Sequence, residues 1–213
     1  STATSTLSLS GFIGTETVTS TNSSTFNNKN VGTSKTVTVN SITLADGSNG
    51  GLASNYSIST GQTTTANVTA KALTVSGITA SNKTYDGGTN ATTTLSFSGF
   101  IGSETINNIN SSTFDNKNIG TAKAVTVNSI NLVDGNNGGL AGNYSISPGQ
   151  TTTANITAKA LTVSGITASN KTYDSTTSAT LDSSSVSYSG IVTGDTFTGS
   201  YSGVFLNANV GTG

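Results

Sequence analysis

The chain has 213 residues, of which 32% are hydrophobic and 8% are charged, and its formal net charge is −1. It has no Cys and no His, which excludes disulfides, Cys/His metal sites and catalytic arrangements built on either side chain. All eight basic residues are Lys and they form no cluster, so binding to a nucleic acid is not expected.

The rest of the composition indicates a folded all-β chain rather than a disordered one. Disorder usually combines low hydrophobicity with high net charge, and the net charge here is close to zero. The chain is rich in Thr, which suits a half-buried strand, and in Asn and Gly, which suit turns. No apolar run reaches the roughly 18 residues of a membrane-spanning helix, so no membrane span is expected in this segment.

The sequence repeats itself at a fixed spacing. Residues 72–86 recur without a change at 160–174, and the period is 88 residues, as from Tyr56 to Tyr144. This period is the length of a small domain and exceeds that of a solenoid coil. The first copy lacks its opening strand and the last lacks its final third, so we expect a window from a longer repetitive protein. The predicted units are residues 1–71, 72–159 and 160–213.

Strands are predicted in chain order within each unit. Val37 and Val39 alternate with Thr and Asn, which predicts one apolar face and one hydroxyl-rich face. The apolar positions change phase at Asn40-Ser41, and again at Asn128-Ser129, which predicts a β-bulge at each point. Further strands are predicted between Gly/Asn-rich turns, at residues 73–76, 95–98, 144–147 and 153–158.

About six or seven strands in a complete unit are typical of a small two-sheet sandwich of immunoglobulin-like type. A mixed β-grasp-like domain is the alternative. Between the first two units, the apolar alternation changes from even positions at Ala66 and Val68 to odd positions at Leu73 and Val75. This joint contains no Pro and no Gly, so we expect a short, stiff linker and an elongated rod of tandem domains.

Two short motifs recur at fixed positions and supply the candidate site residues. The favoured interpretation is structural, with a Tyr packed at a sandwich corner and an Asp that turns the chain by an Asx-type hydrogen bond. A functional Tyr or a functional Lys–Asp pair is the alternative. The motifs are Lys-Thr-Tyr-Asp, with a following Gly in the middle unit, and Asn-Tyr: Lys83, Tyr85, Asp86, Gly87, Lys171, Tyr173, Asp174, Asn55, Tyr56, Asn143 and Tyr144.

Three other chemistries are open at this stage. Lys83, Asn143 and Asp134 supply the groups for an intramolecular Lys–Asn isopeptide crosslink, although the spacing selects no pair. The loop that begins at Asp134 offers oxygen ligands for Ca²⁺, but it has one carboxylate where a site usually has several. A paired-carboxylate hydrolase needs two acids close together, and acids are sparse in every unit. We expect no cofactor and no enzyme activity.

Four motifs in fixed order resemble a known repeat family. They are Lys83 to Gly87, Phe114 to Gly120, Asn143-Tyr144 and Thr153 to Ile156, and the resemblance covers essentially the whole chain. It is to the YDG and MBG-type repeats of very large bacterial surface proteins, including filamentous-haemagglutinin-like adhesins. The resemblance implies an extracellular location, either at the bacterial cell surface or secreted, a stalk or adhesive role, and no enzyme activity.

The third copy departs from this pattern in two of the motifs. Ser175 replaces Gly87, and Ala208 replaces the Lys found at positions 29 and 117. Because one copy does without this Lys, it is not required for the fold of every copy, and the sequence argues against a special chemical role for Lys29 or Lys117.

The sequence therefore favours a structural or adhesive repeat region of a bacterial surface protein or filament, acting as a stalk, spacer or matrix fibre. Its expected partners are neighbouring repeats of the same chain, other copies in a filament, and an unidentified host or surface glycan or protein. The alternative is direct glycan or ice binding through Thr rows such as Thr63-Thr64-Thr65, with each repeat adding avidity.

Overall fold

The computed structural model describes residues 1–196 and 198–211, and nearly all of its regular structure is β-strand. These residues contain no α-helix, only single-turn 3₁₀ helices at Ala53–Asn55 and Ala141–Asn143. The all-β prediction is confirmed. The lack of an α-helix in the described part of the chain argues against the mixed β-grasp-like alternative.

The first repeat forms one antiparallel sheet of four strands in the order β1-β2-β3-β4. Val37 and Val39 are only 2% and 3% exposed, so the apolar face predicted from the Thr-Val alternation is the buried one. The strands are β1 (Thr2–Ala3), β2 (Val18–Phe26), β3 (Gly32–Asp46) and β4 (Thr63–Val68).

The middle repeat contributes a five-stranded sheet in the order β7-β13-β11-β10-β8 and the pair β6-β9. A two-residue parallel pair, β5 with β12, connects it to the end of the first repeat. The strands are β5 (Lys71–Ala72), β6 (Thr74–Ala80), β7 (Lys83–Thr84), β8 (Asn90–Ala91), β9 (Thr93–Ser98), β10 (Ile106–Phe114), β11 (Gly120–Asp134), β12 (Tyr144–Ser145) and β13 (Thr151–Thr157).

The third repeat contains three short antiparallel pairs, β14 with β18, β15 with β17, and β16 with β19. Its strands are β14 (Thr162–Ser164), β15 (Thr167–Ala168), β16 (Ser178–Ala179), β17 (Leu181–Asp182), β18 (Ser187–Ser189) and β19 (Gly203–Val204).

The chain divides into two compact units that do not coincide with the sequence repeats. Unit 1 joins the first repeat to one end of the middle repeat, and unit 2 joins the other end of the middle repeat to the third. The repeat boundaries given above remain a prediction from the sequence. The segments are Ser1–Thr74, Phe97–Ile109 and Asn131–Ser147 in unit 1, and Val75–Ser96, Asn110–Ile130 and Pro148–Gly213 in unit 2.

Each unit has an apolar cluster drawn from the middle repeat. In unit 1, Phe97 on β9 packs on a cluster formed by Leu73, Ile106 and Tyr144. In unit 2, Ala80 on β6 packs on a cluster whose members lie on three strands of the five-stranded sheet: Phe114, Val125, Ala154 and Ile156. The β6-β9 pair is therefore a second layer over this sheet, as expected for a two-sheet arrangement.

The predicted bulge in the first repeat is confirmed. Ser23 pairs with Ser41 and Ser24 pairs with Val39, which leaves Asn40 as the extra residue. The Asn40 amide donates to Thr25 Oγ1 at 3.0 Å. The equivalent Asn128 amide in the middle repeat donates to Thr113 Oγ1 at 3.1 Å. The bulge in the first repeat keeps Val37 and Val39 on one side of it, and Ile42 and Leu44 on the other, directed towards the same face of the sheet.

Candidate functional site

The Lys-Thr-Tyr-Asp motif of the middle repeat forms a local turn in unit 2. Lys83 Nζ donates to Asp86 Oδ1 and to the Gly88 carbonyl oxygen, each at 2.8 Å. Asp86 Oδ1 also accepts the Gly88 N–H at 2.9 Å, which is the predicted Asx-type bond. The Lys83 ammonium, and then the Gly88 N–H, lower the pKa of the Asp86 carboxyl. The motif acts as a chain turn with its charges paired internally.

The third repeat builds the same turn with one change. Lys171 Nζ donates to Asp174 Oδ1 at 2.7 Å, and the Thr176 N–H donates to the same oxygen at 2.9 Å. These donors, with Lys171 first, lower the pKa of Asp174 to about 2. Ser175 takes the place of Gly87 and keeps a left-handed backbone, with φ of 58° against 81°. Turn geometry therefore survives the Gly-to-Ser replacement.

The two motif tyrosines differ in burial. Tyr85 is half-buried and packs on the Phe114, Val125 and Ile156 cluster, which fits the predicted corner position. Tyr173 is 61% exposed. The same sequence motif thus holds a packed tyrosine in one copy and an exposed one in the other.

The Asn-Tyr motif places its Tyr side chain in a three-contact site that the first and middle repeats share. Tyr144 OH donates to Glu104 Oε2 at 2.7 Å and accepts the Ile101 N–H at 3.1 Å. Its ring meets Phe100 edge to face, with centroids 5.7 Å apart. Tyr56 makes the equivalent contacts in the first repeat, with Glu16, Ile13 and Phe12. Burial, and then the Glu104 contact, raise the pKa of the Tyr144 hydroxyl.

The Glu104 carboxylate also forms an ion pair with a lysine of the preceding repeat. Lys29 Nζ lies 2.5 Å from Glu104 Oε1, and the Glu104 side chain is 11% exposed. Residues 27–31, which carry Lys29, are named the clasp loop here. The hydrogen bond from Lys29 is the main cause of the lowered pKa of Glu104, and the same bond raises the pKa of Lys29. The clasp loop of one repeat and an acid of the next therefore form a charge-assisted contact.

Asn143 fixes the backbone of the same loop. Its Oδ1 accepts the Val31 N–H at 2.9 Å, and its Nδ2 donates to Asn30 Oδ1 at 3.1 Å. A side-chain amide that bonds both a backbone N–H and a second amide sets the position of the loop as well as its distance. The two residues of the Asn-Tyr motif thus have different partners. Tyr144 binds residues of its own repeat, and Asn143 binds the clasp loop of the preceding repeat.

A buried lysine supports the clasp loop from behind. Lys35 is 8% exposed, and its Nζ donates to Asn28 Oδ1 and to the Asn30 carbonyl oxygen. It reaches them because a register shift between Gly32 and Lys35 bends β3 at this point. Lys123 holds the equivalent loop of the middle repeat through Asn116 and Asp115. These lysines position the loop, and the partners that the structure describes for them lie in their own repeats.

The backbone of the joint is a short parallel strand pair. Tyr144 and Ser145 pair with Lys71 and Ala72, and the Leu73 N–H donates to the Ser145 carbonyl oxygen at 2.8 Å. Leu73 is 5% exposed, because Tyr144 and its neighbours cover it. The joint in unit 1 therefore combines strand pairing, apolar burial and the clasp-loop contacts.

A looser version of the clasp occurs in unit 2. Lys117, the equivalent of Lys29, lies 3.6 Å from Asp195, which occupies the position of Glu104 once the three-residue insertion is counted. Lys117 Nζ also lies 6.0 Å from the centre of the Tyr85 ring. Tyr85 is the first cause of the raised pKa of Lys117, and Asp195 follows. Both Lys29 and Lys117 therefore form an ion pair with the following repeat, which the sequence did not predict.

Other predicted chemistries find no support in the geometry. Lys83 is bonded to Asp86 and Gly88, whereas Asn143 is bonded to the clasp loop and Asp134 Oδ1 accepts the Ala141 N–H at 2.7 Å. The three isopeptide candidates thus have separate partners. Across the residues that the structure covers, no group of three or more acidic, His or Cys side chains could hold a metal ion.

Sequence reasoning missed the acid and the lysines of the joint. Glu16 and Glu104 each stand 40 residues before the Tyr that they bind, and this repeated spacing was the available signal. For Lys35 and Lys123 the only signal was a Lys inside a strand whose neighbours are apolar or hydroxyl-bearing.

Comparison with known proteins gives one match. The family model of the YDG domain matches three consecutive segments, residues 1–66, 69–154 and 157–213. No curated protein and no solved structure matches the chain. None of the described residues forms a helix that is long and apolar enough to cross a membrane.

Proposed function

Because the chain belongs to the YDG domain family along nearly all of its length, we propose that it is a structural or adhesive repeat region of an extracellular bacterial surface protein or filament. In this role it serves as a stalk, spacer or matrix fibre. The observation that carries the proposal is the joint of unit 1, in which Glu104 and Asn143 hold the clasp loop of the preceding repeat. The resemblance to repeats of bacterial surface proteins supports the location.

The joint has the properties that a mechanical connector needs. The Lys29–Glu104 pair is partly exposed and would add little alone, as is usual for surface ion pairs. Parallel strand pairing at Lys71–Ala72 and burial of Leu73 add directional and apolar contacts beside it. Several weak contacts at separated points resist bending better than any one of them. The low charge of the chain also makes its other contacts insensitive to salt.

The mechanical part of the proposal is tested with chains that carry one, two or more inserted copies of residues 72–159. Small-angle X-ray scattering should show a maximum dimension that grows in proportion to the number of copies. Glu104→Gln should reduce the stiffness of the joint, whereas Glu16→Gln is the matched control, since Glu16 binds its own Tyr56 in the same way. Dimensions that grow only as those of a flexible chain would overturn the proposal.

The location is tested on intact cells of the bacterium that makes the protein. Antibodies raised against residues 72–159 should label unpermeabilised cells or their secreted material. Labelling only after permeabilisation would refute an extracellular role.

Direct glycan or ice binding is the competing function, and one observation favours it. Thr63, Thr64 and Thr65 on β4 are all exposed, so the first repeat offers a hydroxyl row on an accessible strand. If the row binds a ligand directly, apparent affinity should rise with each inserted copy, as avidity requires. If the repeats are only a spacer, added copies should lengthen the chain and leave its affinity for the ligand unchanged.

A further inference from the structure

Three side chains meet at the base of the loop that carries Lys117. Lys123 Nζ donates to Asn116 Oδ1 and lies beside Asp115 Oδ1, each at 2.9 Å. The other oxygen of the same carboxylate, Asp115 Oδ2, accepts Asn116 Nδ2 at 3.1 Å. One carboxylate therefore bridges the nitrogen of an amine and the nitrogen of a side-chain amide. The isopeptide candidates predicted from the sequence have separate partners, whereas these three side chains contact one another.

The fold holds the Lys123 side chain in this position. A register shift between Gly120 and Lys123 bends β11, and a Cβ built on Gly120 would lie 3.2 Å from Lys123 Cδ. The Lys123 side chain is only 9% exposed. Asp115 stands opposite it, because the Asp115 N–H donates to the Ala124 carbonyl oxygen at 3.0 Å. The reacting groups are thus held in contact by the hairpin itself, which favours a reaction between them.

The Asn116 side chain is polarised as an electrophile. Its Oδ1 accepts the Asn118 N–H at 3.0 Å as well as the Lys123 ammonium. Both donors stabilise negative charge on this oxygen, where charge develops when a nucleophile attacks the attached carbon, Cγ. With the Asp115 carboxylate as base, the group contains a nucleophile, an electrophile and a proton carrier in mutual contact.

We propose that Lys123 and Asn116 form an intramolecular isopeptide bond, with Asp115 as the proton carrier. Asp115 Oδ1 first takes a proton from the Lys123 ammonium, and the free amine attacks Asn116 Cγ to form the Nζ–Cγ bond. Asp115 passes this proton to Asn116 Nδ2, the Cγ–Nδ2 bond breaks, and ammonia leaves. The attacking nitrogen loses a second proton, which departs with the ammonia as ammonium. Atoms and charges balance without an oxidant, a reductant or any other reactant.

The first repeat has the same lysine and amide but a different residue in place of the acid. Lys35 Nζ donates to Asn28 Oδ1, and the Asn30 N–H donates to the same oxygen. Asn27 occupies the position of Asp115. A side-chain amide is not a base at neutral pH, so it cannot carry the proton from the amine to the leaving group. The first repeat should therefore keep an unreacted Lys35, which makes it an internal control.

The bond closes the loop that reaches the following repeat. Lys117 lies between the two crosslinked residues and pairs with Asp195 of the third repeat at 3.6 Å. A covalent link from residue 116 to residue 123 restricts this loop and leaves the Lys117 side chain free to make its contact, much as a disulfide restricts a chain. The crosslink is a chemical activity beyond the structural role proposed above and does not depend on it.

The bond is tested by mass spectrometry of the purified full chain, incubated until its mass is constant. The intact protein should be lighter than its sequence mass by one ammonia molecule. After denaturation, trypsin should release residues 30–35 from the first repeat, whereas residues 118–159 should stay uncleaved at Lys123 and joined to residues 84–117. An unchanged mass would overturn the proposal. Loss of ammonia with release of residues 118–123 would indicate a succinimide at an Asn instead and would overturn it equally.

Two substitutions test the part played by Asp115. Asp115→Asn should restore the full mass and the release of residues 118–123, and the first repeat already folds with Asn at this position. Asn27→Asp supplies the acid to the first repeat, so it should remove a second ammonia and join residues 30–71 to residues 1–29. A bond that survives Asp115→Asn, or an Asn27→Asp chain that loses only one ammonia, would overturn Asp115 as the proton carrier. The scattering and cell-labelling tests do not depend on these results, so either proposal can fail without the other.

Discussion

Leu73→Ala and Leu161→Ala form a matched pair, because the two leucines share the same 15-residue sequence context and differ in burial. Leu73 is 5% exposed and Leu161 is 41% exposed. Truncating a buried Leu costs roughly 2–5 kcal/mol, and the small size of the Leu73 cluster places this change near the lower end, about 2–3 kcal/mol. Leu161 has less apolar surface to lose and leaves no closed cavity, so about 1 kcal/mol or less is expected.

Hydrogen–deuterium exchange, read by mass spectrometry, is the suitable assay, because two compact units need not unfold together. In Leu73→Ala, protection of the segment that pairs with Lys71–Ala72 should fall by about 30-fold or more. In Leu161→Ala, the exchange protection of residues 159–165 should fall only a few-fold. Equal losses in the two variants would refute the argument that Tyr144 buries Leu73 at the joint.

Three further predictions concern turns and charges. Gly135→Ala should strongly destabilise unit 1 in thermal unfolding, since its Cβ would lie 2.0 Å from a backbone oxygen, whereas Gly142→Ala, with nothing within 4 Å, should be close to neutral. Because the pKa of Glu104 is lowered below its ordinary 4.5, the stability it contributes is present above that value and is lost as pH falls through the lowered pKa; exchange protection of the clasp loop should fall in the same acid range. NMR titration should place the pKa of Asp174 at about 2, and Lys171→Met should move it towards 3.8. A titration unmoved by that change would contradict the assigned cause.

Much of the fold could be predicted from local sequence pattern. The bulge at Asn40 could be predicted because the apolar residues change there from odd to even positions. A strand keeps its apolar side chains on one face, so such a change requires an extra residue. The Asx bond of Asp86 follows from the short reach of an Asp side chain to the N–H two residues on. These features depend on residues close together in the chain.

The joint could not be predicted in the same way. Lys29 and Glu104 are 75 residues apart, and Val31 and Asn143 are 112 apart, so no local pattern links them. The bend that brings Lys35 to the clasp loop depends on Ser34 in a left-handed conformation, with its N–H bonded to Asn67. The sequence around Ser34 is rich in Ser and Thr, and nothing in it indicates a left-handed residue. Contacts between repeats depend on how neighbouring repeats are placed relative to each other, and neither composition nor periodicity determines that placement.

The position of the unit boundaries has a consequence for how such genes change length. The boundaries of the compact units fall inside the middle repeat, and the first and middle repeats each contain the clasp loop or its equivalent, the acid and the Asn-Tyr motif. Recombination that adds or deletes a whole 88-residue segment, at any point in the repeat, therefore adds or deletes one half of a joint together with one matching half. The remaining ends still complement each other, so the array can lengthen or shorten over generations without any compensating mutation.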